Sequence, residues 1–239
     1  MTRVQWSDYD AVLFDLDGVV TPTAEVHMVA WAEMFNAFLQ SYDGPGDSSP
    51  YADGDYFAHV DGKPRYEGVR DFLTSRGIPA AQDLVVELGD RKNDAFNVVL
   101  ERDGVAAYPG SVLLLDHLRE LGLPLAVVSS SANAPAVLEA AGLADRFRIV
   151  VSGTLAHELG LPGKPAPDTF LHAAEFLGAT AAGSVVLEDA VSGVRAGAAG
   201  GFGLVVGVDR GAGAARLTEA GATVVVTDLA ELVPAGGAA

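Results

Sequence analysis

The chain has 239 residues, 49% of them apolar, which suffices for one large domain or a core carrying an insert and is too apolar for a disordered polypeptide. Its 15 Lys and Arg against 32 Asp and Glu give a formal charge of −17, which argues against general attraction to nucleic acid or to an anionic membrane, so an anionic ligand must be held by local positive charge. The absence of cysteine excludes disulfides, thiolate metal sites and cysteine nucleophiles.

Residues 1–10 carry Trp6, Asp8 and Asp10 where a signal peptide needs a basic start and an apolar run, and no stretch reaches the roughly 18 apolar residues of a membrane span. A cytoplasmic location is therefore expected. The first β-branched or apolar run, 11–14, ends in Asp15-Leu16-Asp17-Gly18. Roughly a hundred residues without a further strand follow, far beyond a short crossover, and they read as an inserted helical domain. Its first helix, 24–40, places His27, Trp31, Met34 and Phe38 on one stripe, and a polar loop at 41–55 follows. Two more helices fit 66–75 and 81–100, and Tyr108-Pro109-Gly110 marks the return to the core. Short apolar runs at 125–129, 149–151, 185–187, 204–207 and 223–226 then alternate with helical patterns, as βα units of a parallel sheet covered on both faces. The Ala- and Gly-rich end, 234–239, is expected to fray. The predicted fold class is α/β, with a core formed by 1–23 and 104–239 and an insert at 24–103.

Ligands of such sheets gather outside the carboxyl ends of the strands. There, Asp15 and Asp17 emerge on the same side of an extended chain, two like charges that are costly unless a cation, a proton or a phosphoryl group is shared. Alone, the pair more often marks an acidic turn closing a strand. Ser129, Ser130, Ser131 and Asn133 follow the second strand, where hydroxyls and backbone N–H groups can bind phosphate oxygens. Lys164 sits between glycine and proline in Gly163-Lys164-Pro165, with Asp168 placed to cap the next helix, and Glu188-Asp189 ends the fourth strand. Together these residues supply oxygen ligands for a hard cation, a nucleophile and a cation for phosphate charge. Only three of the 15 basic residues are lysines, Lys63, Lys92 and Lys164, and a compact ammonium at each suggests a point charge is wanted there.

In order and spacing, Asp15-Leu16-Asp17-Gly18-Val19, Ser129, Lys164 and Glu188-Asp189 resemble the four signature motifs of the haloacid dehalogenase (HAD) superfamily, over nearly the whole chain. The resemblance implies a Rossmann-like core with Asp15 as phosphoryl-accepting nucleophile and Asp17 as general acid and base. It also implies Mg2+ held by the Asp15 carboxylate, the Asp17 main-chain carbonyl and Asp189, with Glu188 in or near the coordination shell, and a transferring group held by Ser129 and Lys164.

The insert is similar to the helical cap of the β-phosphoglucomutase-like subfamily at residues 21–27, at Trp31, at residues 60–65 and at residues 88–94. That likeness implies that Arg65 binds the phosphate distal to the reaction, that His27 couples Asp17 to cap closure, and that Lys92 lines the sugar side of a cleft that Trp31 also faces. Ser131 and Asn133 match polar positions near the distal phosphate. Pro22 replaces a usual acidic hinge residue and Ala132 a usual lysine. By helix geometry alone, His27 also suits a buried structural histidine and Lys92 a side chain that snorkels to water. Arg65, at a helix start, opposes the helix dipole until an anion relieves the conflict.

The function this implies is the interconversion of β-glucose 1-phosphate and glucose 6-phosphate through an aspartyl phosphate and a bisphosphorylated sugar. A Mg2+-dependent sugar phosphatase is the alternative, followed by a non-catalytic binding protein on the same fold. The expected partner is a small phosphorylated sugar, with neither nucleic acid nor membrane, and the chain is expected to be a monomer.

Overall fold

The computed structural model describes residues 4–234, so of the segment expected to fray only Pro234 lies within the described residues. Six parallel strands form the core: β1 (Ala11–Phe14), β2 (Leu125–Val128), β3 (Ile149–Val151), β4 (Ser184–Glu188), β5 (Leu204–Val208) and β6 (Val224–Val226). Their order is β3-β2-β1-β4-β5-β6. Strand order therefore reverses at β1, and a crevice opens at the carboxyl end of that strand. Phe14 is level with Val127 on one side and Leu187 on the other. The residues that follow all three strands thus emerge on one edge.

Period-two alternation divides the strands between two cores. Val12 and Phe14 pack with Val127, Leu187, Leu114 and Leu118 on one face, while Leu13 packs with Val128, Val186, Phe170 and Val194 on the other. The insert consists of α1 (Thr23–Ser41), α2 (Asp53–Asp55), a π-helical turn (Tyr56–Val60), α3 (Arg65–Ser75) and α4 (Gln82–Asp103). It has its own aromatic core of Trp31, Phe35, Phe38, Tyr51 and Phe72 with Leu73, Val85 and Leu88. The remaining helices cover the sheet: α5 (Pro109–Glu120), α6 (Ala134–Ala140), α7 (Gly153–Glu158), α8 (Asp168–Phe176), α9 (Val191–Ala199) and α10 (Ala214–Ala220). No helix among the described residues is long and apolar enough to cross a membrane.

Three local expectations differ from the structure. The segment read as a loop to residue 55 turns helical at Asp53, because the Asp55 carboxylate accepts from the Ala52 N–H and Tyr56 and Val60 are buried beneath the turn. One or two turns are too short to display a 3.6-residue period. Helix α4 runs three residues past its expected end, to Asp103, and stops at Gly104 with φ +64; Glu101, Arg102 and Asp103 carry no apolar stripe that would mark them as helical in sequence. Asp168 makes no capping bond: Pro167 occupies the cap position and Asp168 lies in the first turn, where its charge favours the helix dipole.

Candidate active site

The loop after β1 fixes both aspartates. Leu16 O accepts from the Val20 and Thr21 N–H groups, and the Gly18 N–H donates to Thr21 O at 2.7 Å. Gly18 has φ +91, and a Cβ there would stand 1.9 Å from Asp189 Oδ2, so both backbone and space require glycine. The two carboxylates then diverge in environment. Lys164 Nζ donates to Asp15 Oδ1 at 2.5 Å, Glu188 Oε1 at 2.6 Å and Val128 O at 2.9 Å, using all three of its protons. The second Glu188 oxygen accepts from the Ala190 N–H at 2.8 Å. Asp17 instead accepts from Thr23 Oγ1 at 2.5 Å and Ser129 Oγ at 3.2 Å, and His27 Nε2 lies 3.3 Å from its Oδ1.

Behind that imidazole, Nδ1 of His27 meets Lys92 Nζ, and the ring stacks on Phe96 with centroids 4.2 Å apart. A neutral His27 protonated at Nε2 satisfies both contacts, accepting from Lys92 and donating to Asp17. Burial and the Lys92 charge hold His27 below its ordinary pKa, in keeping with that state. Lys92 is only 4% exposed, so the snorkelling alternative fails: burial first, then Arg65, overcomes the attraction of Asp17 and brings its pKa down to about 7. For Asp17, burial alone would raise the pKa, but His27, Thr23 and Lys92 outweigh it and hold the carboxyl at about 2.

At the adjoining carboxylates the balance reverses. Burial raises Asp15 well above the usual range despite Lys164, with Glu188 and Asp17 adding to the rise, and burial followed by Asp61 and Glu188 does the same at Asp189. Burial also lowers the proton affinity of Lys164, but Asp15 and Glu188 more than restore it, so this lysine stays an ammonium. Oxygens of Asp15, Glu188 and Asp189 lie within 4.8 Å of one another. An all-oxygen donor set, buried and crowded with negative charge that one lysine leaves uncompensated, fits a hard divalent cation.

The cleft between core and insert is lined by ten of the twelve predicted positions: Asp15, Asp17, His27, Trp31, Arg65, Lys92, Ser129, Ser131, Asn133 and Asp189. Lys164 and Glu188, both 1% exposed, stand behind it and support Asp15. Arg65 opens α3, with Nη2 donating to Tyr66 Oη at 3.1 Å and lying 3.7 Å from Asp90; its Nε is buried and unpartnered. Asn133 donates from Nδ2 to Asn93 at 2.9 Å, and its N–H donates to Ser131 Oγ at 3.2 Å. Trp31 packs on Phe35 within the insert and forms the wall below Lys92. Lys63 lines the cleft, but its ammonium is engaged by Asp71.

Thr23, Asn93 and Asp61 were not assigned roles by sequence. Thr23 follows Pro22 at the start of α1, and its reach to Asp17 depends on how the insert seats on the sheet. Asp61 lines the cleft, and burial, then Glu188, raises its pKa to about 7. An aspartate between valine and glycine reads in sequence as an ordinary turn residue.

The haloacid dehalogenase-like hydrolase family matches residues 9–201. A β-phosphoglucomutase of Mycobacterium bovis is 48% identical, with 93% of this chain and 91% of the relative covered. One from Bacillus subtilis is 32% identical, covering 84% of each. The crystal structure of a Clostridium difficile β-phosphoglucomutase superposes with a TM-score of 0.78 over 94% of this chain and 93% of its own; at 23% identity it shows a shared fold.

Proposed function

The chain belongs to the haloacid dehalogenase-like hydrolases and is a phosphotransferase or phosphatase of that family, and from this premise we propose that it is a β-phosphoglucomutase, interconverting β-glucose 1-phosphate and glucose 6-phosphate. The observation that carries this reading is that the cleft has two separate cationic positions. Lys164 serves Asp15 at the core, while Arg65 and Lys92 from the insert, with Ser131 and Asn133 from the loop after β2, offer charge and hydrogen bonds elsewhere in the same cleft. A phosphatase needs only the first. The 48% identity to a relative of that name supports the same choice.

In this reading, residues 1–23 and 104–239 form the catalytic core and 24–103 the cap. An Asp15 carboxylate oxygen attacks phosphorus in line as the bond from phosphorus to the sugar oxygen breaks, giving an aspartyl phosphate. Asp17 supplies the proton to the departing sugar oxygen and, when a sugar hydroxyl attacks the aspartyl phosphate, removes the proton from that hydroxyl. The bisphosphorylated intermediate must turn around, so that each phosphate in turn meets Asp15 while the other rests against Arg65. Ser129 and Lys164 hold the transferring group, and His27 ties the protonation of Asp17 to the seating of α1. Mg2+ would be held by Asp15, the Asp17 carbonyl and Asp189, with Glu188 beside them, and when bound it supplies charge stabilisation for the transferring oxygens.

Arg65→Ala tests the second phosphate position. It should raise KM and lower the mutase rate by ~10-fold or more, while hydrolysis of acetyl phosphate, which has no second phosphate, changes little. Lysine should rescue only in part, lacking the paired guanidinium donors. Equal losses on both substrates would remove Arg65 from distal recognition.

A further inference from the structure

We propose that Ser130 and Ser192 are positioning residues whose hydroxyls latch the cap loop Asp61-Gly62 onto the core, closing the cleft over Asp15. The inference concerns cap closure in the free protein; only its catalytic consequence rests on the mutase reading. Ser130 Oγ donates to Gly62 O at 2.8 Å, and Ser192 Oγ donates to Asp61 O at 2.9 Å. Two successive carbonyls of one cap loop are thus taken by two core hydroxyls. Ser130 follows β2 and Ser192 stands in the first turn of α9 after β4, the two neighbours of the strand that carries Asp15. The loop is therefore held on both flanks of the nucleophile.

Packing around the two bonds is tight enough to make them selective for one seating. Gly62 has φ +66, and a Cβ on it would lie 2.3 Å from Ser192 Oγ and 2.7 Å from Ala190 Cβ. Two residues on, Pro64 presses against Gly163, where a Cβ would meet Pro64 Cγ at 2.3 Å. Gly163 immediately precedes Lys164, so the loop rests on all three core segments that surround the phosphoryl site. Arg65 is the next residue of this loop and the first of α3. Seating the loop consequently fixes where the guanidinium enters the cleft.

The chemistry of the latch has a consequence for its behaviour. Both bonds join neutral hydroxyls to backbone carbonyls, so they neither titrate nor weaken with salt as an ion pair does. The cap is thereby biased shut before any phosphate arrives, and ligand binding does not have to supply the whole cost of closure. Closure also shields the aspartyl phosphate from water, which favours transfer to a sugar hydroxyl over hydrolysis.

The test uses the full chain with Ser130→Ala, Ser192→Ala and the double variant. Amide hydrogen exchange of the free proteins is followed in peptides covering 56–66 of the cap loop and 129–133 of the core surface beneath it. The double variant should exchange faster in both peptides, about threefold to tenfold for each bond removed, with sheet peptides unchanged. Its KM for the sugar phosphate should rise by a similar factor, with a smaller change in kcat and a larger fraction of phosphate released to water. Exchange in both peptides identical to the parent would overturn the latch, whatever the substrate. So would faster exchange spread evenly over the sheet, which marks general destabilisation. If exchange rises as expected but the parent shows no mutase activity, the latch stands and the reading of function falls. Gly62→Ala, which crowds the same seat and leaves both serines in place, should likewise speed exchange at 56–66; an unchanged rate there would contradict the tight fit.

Discussion

Asp15 and Asp17 are two residues apart and nevertheless occupy opposite electrostatic settings, one raised by burial among carboxylates and the other held at about 2 by His27, Thr23 and Lys92. The proposed mechanism gives Asp15 bond formation and Asp17 proton transfer. Asp15→Asn should abolish phosphoenzyme formation, whereas Asp17→Asn should keep the nucleophile and lose ~10²–10⁴-fold in turnover; trapping with hydroxylamine distinguishes the two, and a hydroxylamine-sensitive Asp15→Asn protein would refute the assignment. Lys92 offers a second prediction. Its pKa falls from 10.5 in the unfolded chain to about 7 when folded, so the unfolded state binds the extra proton between those values and stability rises with pH across that window. Below pH 7 the full penalty applies, on the order of 5 kcal/mol. Lys92→Met should therefore raise Tm near pH 6 and flatten the rise of Tm from pH 7 to 10, while sacrificing sugar phosphate turnover. A Tm that falls at pH 6 would show that the ammonium stabilises the fold.

At the scale of elements, the cap is held together partly by a single side chain. Arg76, just beyond α3, bonds Asp47 at 2.9 Å, Ser49 Oγ at 2.8 Å and Asp55 at 2.8 Å, and packs over Phe72, pinning the segment between α1 and α2. The arginine side chain is 12% exposed although Asp47 is 56% exposed, so screening discounts part of the charge pairing. Arg76→Ala should cost ~1–2 kcal/mol and lower Tm by a few degrees, with kcat and KM nearly unchanged because none of its partners lines the cleft; thermal unfolding beside steady-state kinetics checks this, and a collapse of activity without loss of Tm would contradict it. The elements legible in sequence were those marked by a continuous apolar run or a long apolar face. Strand β1 was read to the residue, and α1 to within one residue at each end, because apolar side chains mark the faces of both. The helical turns over residues 53–60 and the polar end of α4 escaped because neither repeats long enough to show a period.

For the whole molecule, what the sequence could reveal followed from where the fold converts sequence order into proximity. Asp15, Ser129 and Glu188 are far apart along the chain, but each ends or follows a strand that the parallel sheet brings to one edge, so strand ends located them, whereas Lys164, in the loop between α7 and α8, was found from its Gly-Lys-Pro setting and the family resemblance. Contacts between cap and core were less accessible. Nothing in the residues around Thr23 or Ser192 shows that one reaches Asp17 and the other the carbonyl of Asp61, since those distances depend on how the insert seats on the sheet. The choice of Lys92 rather than a snorkelling lysine was equally a matter of tertiary position, settled by His27, Trp31 and Phe96 enclosing its head. In the proposed mechanism this closed, two-ended cleft returns the phosphoryl group to a sugar. Purified protein supplied with Mg2+, β-glucose 1-phosphate and a catalytic amount of β-glucose 1,6-bisphosphate tests it most directly, with glucose 6-phosphate and free phosphate followed in the same reaction. Glucose 6-phosphate should account for nearly all of the sugar phosphate consumed, with free phosphate a minor product; free phosphate released in step with the substrate, and no glucose 6-phosphate, would contradict it.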